Sequence, residues 1–284
     1  MATADAVNLL GAVSVIVDIE NDHSISVDAV KAAITHKTKG VITTNLNGHA
    51  SRLPELKRLC EDYGIWLIED NAQGLGAKID GKFAGSFGVF STLSFFPAKS
   101  LGCYGDGGAL VTDSKEIAEK VIELRNHGRG LTMDVAVWGV NSRPDNIQAS
   151  VLSAKLKKLD DYLNKRRALA RTYTDGLGEL KSVSIPYTFD SSSRYFDVYQ
   201  NYEIKVEDRD LLRSHLSNNG IGTLLPWSGK ALHQMKLPNC DYRETPNAEN
   251  LFENVLLLPM NQYLDKEEVD YVVASITDFY QGRN

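Results

Sequence analysis

Lys99 closes the run Ser94-Phe95-Phe96-Pro97-Ala98-Lys99 and is followed at one remove by Leu101, an apolar setting for a cationic side chain. Removing an ammonium from water disfavours its charged form, so a lysine placed here is expected to have a lowered pKa and a free, nucleophilic amine. A second reactive group is Asp70, which with Glu69 ends the apolar run Ile65-Trp66-Leu67-Ile68. In open parallel sheets ligands sit beyond the carboxyl ends of the strands, so a carboxylate at that position is aimed at a site. The third feature is the cluster Gly102, Gly105, Gly107 and Gly108. Taken singly, each has an ordinary explanation: Asp70 as a turn or capping acid, Lys99 as a snorkelling surface lysine, the glycines as a hairpin turn. Together they place a carboxylate, an amine and a close-approach loop at one sheet edge.

The elements that must position these groups are readable from hydrophobic periodicity. Short apolar runs alternate with amphipathic stretches in the first half, the pattern of a parallel sheet covered by helices. Strands are expected at Val13 to Ile19, Gly40 to Asn45, Ile65 to Ile68, Val89 to Phe95 and Ala109 to Thr112. Helices are expected at Val27 to Ile34, at Leu53 to Tyr63 with Leu53, Leu56, Leu59, Cys60 and Tyr63 on one face, and from Ser114 to about His127. From Asn146, Leu152, Leu156, Leu159 and Leu163 recur at helical spacing, giving one long connector helix with Lys155, Lys157, Lys158, Lys165, Arg166 and Arg167 on its solvated face. Beyond it, strands at Tyr199 to Val206 and Ile221 to Leu225, a helix at Arg209 to Asn219 and a terminal helix at Lys266 to Tyr280 describe a smaller α+β unit. Asp190 to Ser193 reads as a surface loop. The expected division is a large domain over 1–145, a connector over 146–178 and a small domain over 179–284.

The whole chain bounds the partners. Its 284 residues, 43% hydrophobic and 24% charged, suffice for a globular protein with a substantial core. The formal net charge of -6 argues against a nucleic-acid partner, because such binding draws on clustered Lys and Arg. Cys60, Cys103 and Cys240 are widely separated, with no paired spacing for a disulfide framework or a metal site, which fits a reducing cytoplasm; Cys103 is expected to serve packing. The opening residues have no basic n-region, and no run is long enough to span a bilayer, so no membrane partner is expected. No G-x-G-x-x-G opens a helix after the first strand, which disfavours a generic nucleotide-binding domain.

Three ordered segments, Ile68-Glu69-Asp70-Asn71-Ala72-Gln73, Ser94 to Lys99 and Tyr104-Gly105-Asp106-Gly107-Gly108, resemble the I-E-D-x-A-Q, S-F-x-P-x-K and Y-G-D-G-G motifs of the DegT/DnrJ/StrS nucleotide-sugar aminotransferases. The resemblance continues through Arg125 to Gly128, Gly139 to Arg143 and Leu256 to Met260. It implies an α/β chain with the type I fold of aminotransferases that depend on pyridoxal 5'-phosphate (PLP): a mostly parallel sheet, flanking helices and a smaller C-terminal α+β domain. It also implies residue roles. Lys99 would hold the cofactor as a Schiff base and act in catalysis, and Asp70 would pair with the pyridine nitrogen. Gln73 would bond near the phenolic oxygen, and Ser94 would bind the phosphate. Asn141 would reach the phosphate from a neighbouring subunit, implying a homodimer with shared active sites. Tyr104 and His233 fall at substrate-side positions, although a structural histidine at 233 stays equally open. The implied reaction moves an amino group, from an amino-acid donor such as glutamate, to a nucleotide-linked keto-sugar, as in cell-surface polysaccharide biosynthesis.

The match has departures. Relatives carry a segment ahead of the position of Met1, with a Ser-Gly-Thr phosphate-binding turn and a ring-stacking aromatic residue. Without it, weaker cofactor binding and uncovered apolar sheet surface are expected. The rival reading is therefore a non-catalytic truncated relative acting as a binding or regulatory partner. Leu75, Ala98 and Ser100 also differ from common family choices and bear on substrate detail. A dehydratase branch carries histidine in place of the lysine, so Lys99 favours transamination.

Overall fold

The computed structural model describes residues 1–50, 52–130, 134–185 and 194–282; the expected loop at Asp190 to Ser193 lies outside the described residues. Helix α1 (Ala2–Leu9) leads to β1 (Ser14–Ile16), α2 (Val27–Ala33), β2 (Gly40–Thr44), α3 (Leu53–Tyr63) and β3 (Trp66–Asp70). A small antiparallel pair, β4 (Lys78–Ile79) and β5 (Lys82–Phe83), precedes β6 (Phe90–Ser94), β7 (Gly108–Val111) and α4 (Lys115–Leu124). The central sheet has the order β2-β3-β6-β7, with the first three strands parallel and β7 antiparallel to β6. Alternate strand residues, Val41 and Thr43, Leu67 and Glu69, are buried. Val41 and Leu67 share a core with Val30 of α2 and Leu53, Leu56, Leu59 and Cys60 of α3. Tyr63 departs from the expected face and is 47% exposed, because α3 stops at Gly64, whose left-handed φ of 62° caps it.

Glu69 is the fully buried acid of this core. Its Oε1 accepts from Phe87 N (2.6 Å) and Gly88 N (2.9 Å), and its Oε2 from Gly85 N (2.5 Å) and the Asn45 amide (3.3 Å). The carboxylate thus ties down the turn that delivers the chain into β6. Glu69→Ala would strand the buried N–H of Phe87 and the partly buried N–H groups of Gly85 and Gly88, and should lower stability by about 3 kcal/mol or more. A thermal midpoint within about one degree of wild type would contradict this assignment.

In the second half the expected connector helix is two helices, α5 (Asn146–Leu156) and α6 (Leu159–Leu177), broken at Lys157 and Lys158. Helix α5 buries none of its residues, whereas α6 alone serves two cores. Leu163 joins the core beneath the central sheet, whereas Leu169, Ala170, Tyr173 and Leu177 enter a second core. The basic residues are not simply a solvated face. Arg166 is buried, Arg167 donates to Asp197 O (2.6 Å) and stacks 3.9 Å from the Phe196 ring centre, and Lys155 donates to Gly102 O (2.6 Å).

The remaining elements are β8 (Val183–Ser184), β9 (Tyr195–Phe196), β10 (Tyr202–Val206), α7 (Arg209–Asn218), β11 (Cys240–Tyr242), α8 (Pro246–Asn254), β12 (Val255–Leu258) and α9 (Lys266–Gln281). The antiparallel sheet β12-β10-β8 packs with α6, α7 and α9 around the second core. No strand forms at Ile221 to Leu225. Gly220 before the segment, Gly222 within it and Pro226 after it leave a single bridge between Leu224 and Leu257. The expected strand at Val13 to Ile19 shrinks to β1, which lies outside the central sheet and pairs in parallel with β11. Asp18 just after it accepts from Asn247 N and Ala248 N (3.0 Å each), capping α8 and tying the chain's first segment to its last third. Among the described residues no helix is long and apolar enough to cross a membrane.

Candidate active site

Asp70 is the last residue of β3, and the loop carrying Lys99 leaves the carboxyl end of β6, the neighbouring parallel strand. Two adjacent parallel strands end on the same edge, so the sheet brings the two groups to one place. The carboxylate is held at both oxygens: Oδ2 accepts from Thr3 Oγ1 (2.6 Å) and Oδ1 from Ala72 N (3.2 Å). Among the described residues no Lys, Arg or His forms an ion pair with it. Asp70 is half-buried, and its two hydrogen-bond donors are neutral groups.

The Lys99 loop is closed by short-range constraints. Lys99 N donates to Phe96 O (2.9 Å), Phe95 N to Gly107 O (2.8 Å) and Cys103 N to Phe95 O (2.8 Å). Gly102 sits against the carbonyls of Phe96 and Pro97, where a Cβ would lie 2.6 and 2.5 Å from the two oxygens, so this closure requires glycine. Cys103 is fully buried, with Sγ 3.0 Å from the Phe95 and Gly105 carbonyl oxygens, in keeping with a packing role. Burial pushes the Lys99 amine below the ordinary lysine range, and the nearby charge of Asp70 offsets part of that shift.

A lysine with a depressed folded-state pKa costs stability wherever the unfolded chain holds the proton more tightly. Lys99→Met is accordingly expected to stabilise the cofactor-free protein at neutral pH. The gain should fade as pH rises through the ordinary lysine range, where the unfolded lysine is neutral too. Denaturant titrations at several pH values measure this, and a gain that grew with pH would contradict the sign.

The other expected residues are placed as follows. Gln73 Oε1 accepts from Asn47 N (2.7 Å), which orients the amide and leaves its NH2 as the donor for a ligand oxygen. Ser94 ends β6, and its Oγ accepts from Phe96 N (3.3 Å). Tyr104 is 74% exposed; its N donates to Gln148 Oε1 (2.8 Å) and its ring lies 5.0 Å from Lys155 Nζ. Asn141 is exposed and accepts from Arg143 Nε (3.2 Å). His233 shares a hydrogen bond with the Thr245 hydroxyl (3.0 Å), and its Nε2 lies 3.2 Å from Glu249 Oε1. Within one chain, then, β3, β6 and their loops gather Asp70, Gln73, Ser94 and Lys99. No described hydrogen bond or ion pair joins Tyr104, Asn141 or His233 to them.

Two further residues escape a reading of the sequence. Thr3 reaches Asp70 from α1, a helix no expectation covered. Gln200 touches the Lys99 loop from just ahead of β10, and the usable signal was a polar residue within the apolar run Val198-Tyr199-Gln200-Asn201-Tyr202.

With this geometry in view, residues 1–277 match the model of the DegT/DnrJ/EryC1/StrS aminotransferase family. The chain is 37% identical to a "pleiotropic regulatory protein" of Geobacillus stearothermophilus, over 99% of this chain and 76% of that protein. It is 35% identical, over the same shares, to a UDP-N-acetyl-3-dehydro-alpha-D-glucosamine 3-aminotransferase of Acidithiobacillus ferrooxidans. The crystal structure of an aminotransferase from Brucella abortus superposes with a TM-score of 0.90 at 34% identity, covering 98% of this chain and 76% of that one.

Proposed function

Since the chain belongs to the DegT/DnrJ/EryC1/StrS aminotransferase family and has the fold of its PLP-dependent enzymes, we propose that it transfers an amino group from glutamate to a nucleotide-linked keto-sugar, with Lys99 and Asp70 as the catalytic pair. The carrying observation is a partly desolvated amine on the loop that leaves β6, at the sheet edge where Asp70 ends the adjacent parallel strand β3. These residues fit PLP. Asp70 offers lone pairs to a pyridine N–H, Gln73 has an amide NH2 left to donate once Asn47 N occupies its oxygen, Ser94 offers a hydroxyl at a strand end, and Lys99 offers an amine whose burial favours the neutral form. The non-catalytic reading is not favoured, because every one of these groups is retained and Lys99 lies close enough to Asp70 for its charge to be felt.

When bound, PLP supplies an electron-withdrawing ring that takes up the electron pair left behind by a departing C–H proton. The protein's own contribution is positional and electrostatic. Asp70 would hold a proton on the ring nitrogen, because a carboxylate stabilises an adjacent positive charge. Lys99 would hold the cofactor through its amine and, once the donor's amine takes its place, its Nζ would serve as the base that accepts the substrate proton and later returns it. The test is spectral and chemical. Purified protein with PLP should develop an absorbance band that shifts on adding glutamate, and borohydride followed by peptide mapping should fix the label at Lys99. A label on another lysine would end this assignment.

The reading extends to a homodimer with Asn141 given across the interface. Support comes from Val135, Trp138 and Val140, all exposed and apolar beside Asn141, with Trp138 97% exposed, a surface that association would cover. Mixing Lys99→Ala with Asn141→Asp, each expected to be poorly active, should restore about a quarter of wild-type activity, the statistical share of intact sites when two subunit types pair at random. Absence of any recovery in a mixture shown to exchange subunits would rule out sharing.

A further inference from the structure

Lys99 makes its chemistry from an irregular loop, within which Lys99 N donates to Phe96 O (2.9 Å). The peptides on either side of the lysine are also held from outside the loop. Gln200 Nε2 donates to Ala98 O (2.9 Å), the carbonyl of the peptide entering Lys99. Gln200 Oε1 accepts from Ser100 N (2.9 Å), the amide of the peptide leaving it, and from Ser100 Oγ (3.1 Å). Only one orientation of the carboxamide satisfies a carbonyl on one side and an N–H on the other, so the contact is directional. Gln200 and Ser100 are both buried, where water does not compete for these bonds.

Gln200 is itself anchored. Buried Arg166 on α6 donates through Nη1 to the carbonyls of Tyr199 and Gln200 (3.1 Å each) and Met260 (3.4 Å), and through Nη2 to Gln262 Oε1 (3.0 Å). Tyr199, directly before Gln200, holds a φ of 48°, a conformation that a non-glycine residue adopts only when its surroundings impose it. Among the described residues Arg166 has no ion-pair partner, and its charge is met by carbonyl and amide oxygens converging from two loops. A guanidinium buried at this cost holds the segment that carries Gln200.

We propose that Gln200 is a positioning residue for Lys99, its carboxamide clamping both peptide groups of the lysine so that the amine stays at the edge occupied by Asp70. This rests on the reading of Lys99 as the residue that carries the cofactor. A glutamine that served only local packing would support the fold without acting selectively through the lysine.

The experiment compares Gln200→Ala and Gln200→Glu with wild type; the second keeps the side-chain volume but has no NH2 to donate to Ala98 O, and it carries the comparison if the first fails to fold. The rate of covalent PLP attachment at Lys99, followed by the absorbance band and borohydride labelling, is expected to fall about tenfold or more, since displacement of a reacting group by an ångström costs this much. In a Lys99→Ala background the same substitutions should leave non-covalent PLP affinity within about twofold, because the clamp acts through the lysine. An unchanged attachment rate overturns the proposal, and so does an equal loss of affinity in the Lys99→Ala background, which marks a merely structural role. If wild type attaches no PLP at Lys99, it is the proposed function that fails. The clamp is then judged in the cofactor-free protein by the pH profile of Lys99 acylation. Its midpoint should rise toward the ordinary lysine range in Gln200→Ala, and an unmoved midpoint overturns it.

Discussion

Lys99→Ala is expected to lower amino transfer by about four orders of magnitude, the upper range for removing a positioned general acid–base, with loss of covalent capture added to it. The magnitude follows from the double use of one amine. It would first hold the cofactor and then, once displaced, exchange the proton at the reacting carbon, so its removal takes away both contributions together. The fold should survive, because truncation removes a partly desolvated ammonium whose burial is unfavourable. Measured glutamate-dependent amination of a nucleotide-linked keto-sugar, together with the absorbance band, checks both halves. A variant retaining a tenth of the wild-type rate would falsify the assignment.

Asp70→Asn is expected to separate binding from chemistry. Unit charges about 4 Å apart at an effective dielectric near 20 interact by roughly 4 kcal/mol, equivalent to about a thousandfold in rate if the interaction is made mainly where charge develops. The Thr3 hydroxyl can accept from an asparagine amide as readily as it donates to the carboxylate, so local structure should be kept. The variant should therefore still attach PLP at Lys99 while turning over about a thousandfold more slowly. Equal turnover by the two proteins would show that the acid faces no charged ring nitrogen.

The chemistry was legible because it rests on local order. Glu69-Asp70, Gln73 and the Ser94 to Lys99 run lie within or next to single strands, and apolar runs bounded by turn residues reveal such strands. Where pairing depends on a distant partner, the reading went astray. Val13 to Ile19 has the composition of a buried strand, yet only Ser14–Ile16 pairs, and its partner Cys240–Tyr242 comes from the opposite end of the chain. Ile221 to Leu225 is apolar enough for a strand but is interrupted by glycine and bounded by proline, and a single bridge is all that forms. The leucine periodicity through 152, 156, 159 and 163 continues across Lys157 and Lys158, so it concealed the break between α5 and α6 there.

Residue type and spacing alone singled out the reacting groups and the strand ends that bear them, because these are properties of neighbouring positions; the class of reaction came from the resemblance of three ordered motifs to a known family. Folding in three dimensions settled what holds those groups. Thr3 meets Asp70 across 67 positions, and Gln200 meets Ser100 and Ala98 across 100 and 102. Such hydrogen bonds leave no periodic trace in a chain, since they exist only after two separate cores have brought remote segments within 3 Å of one another.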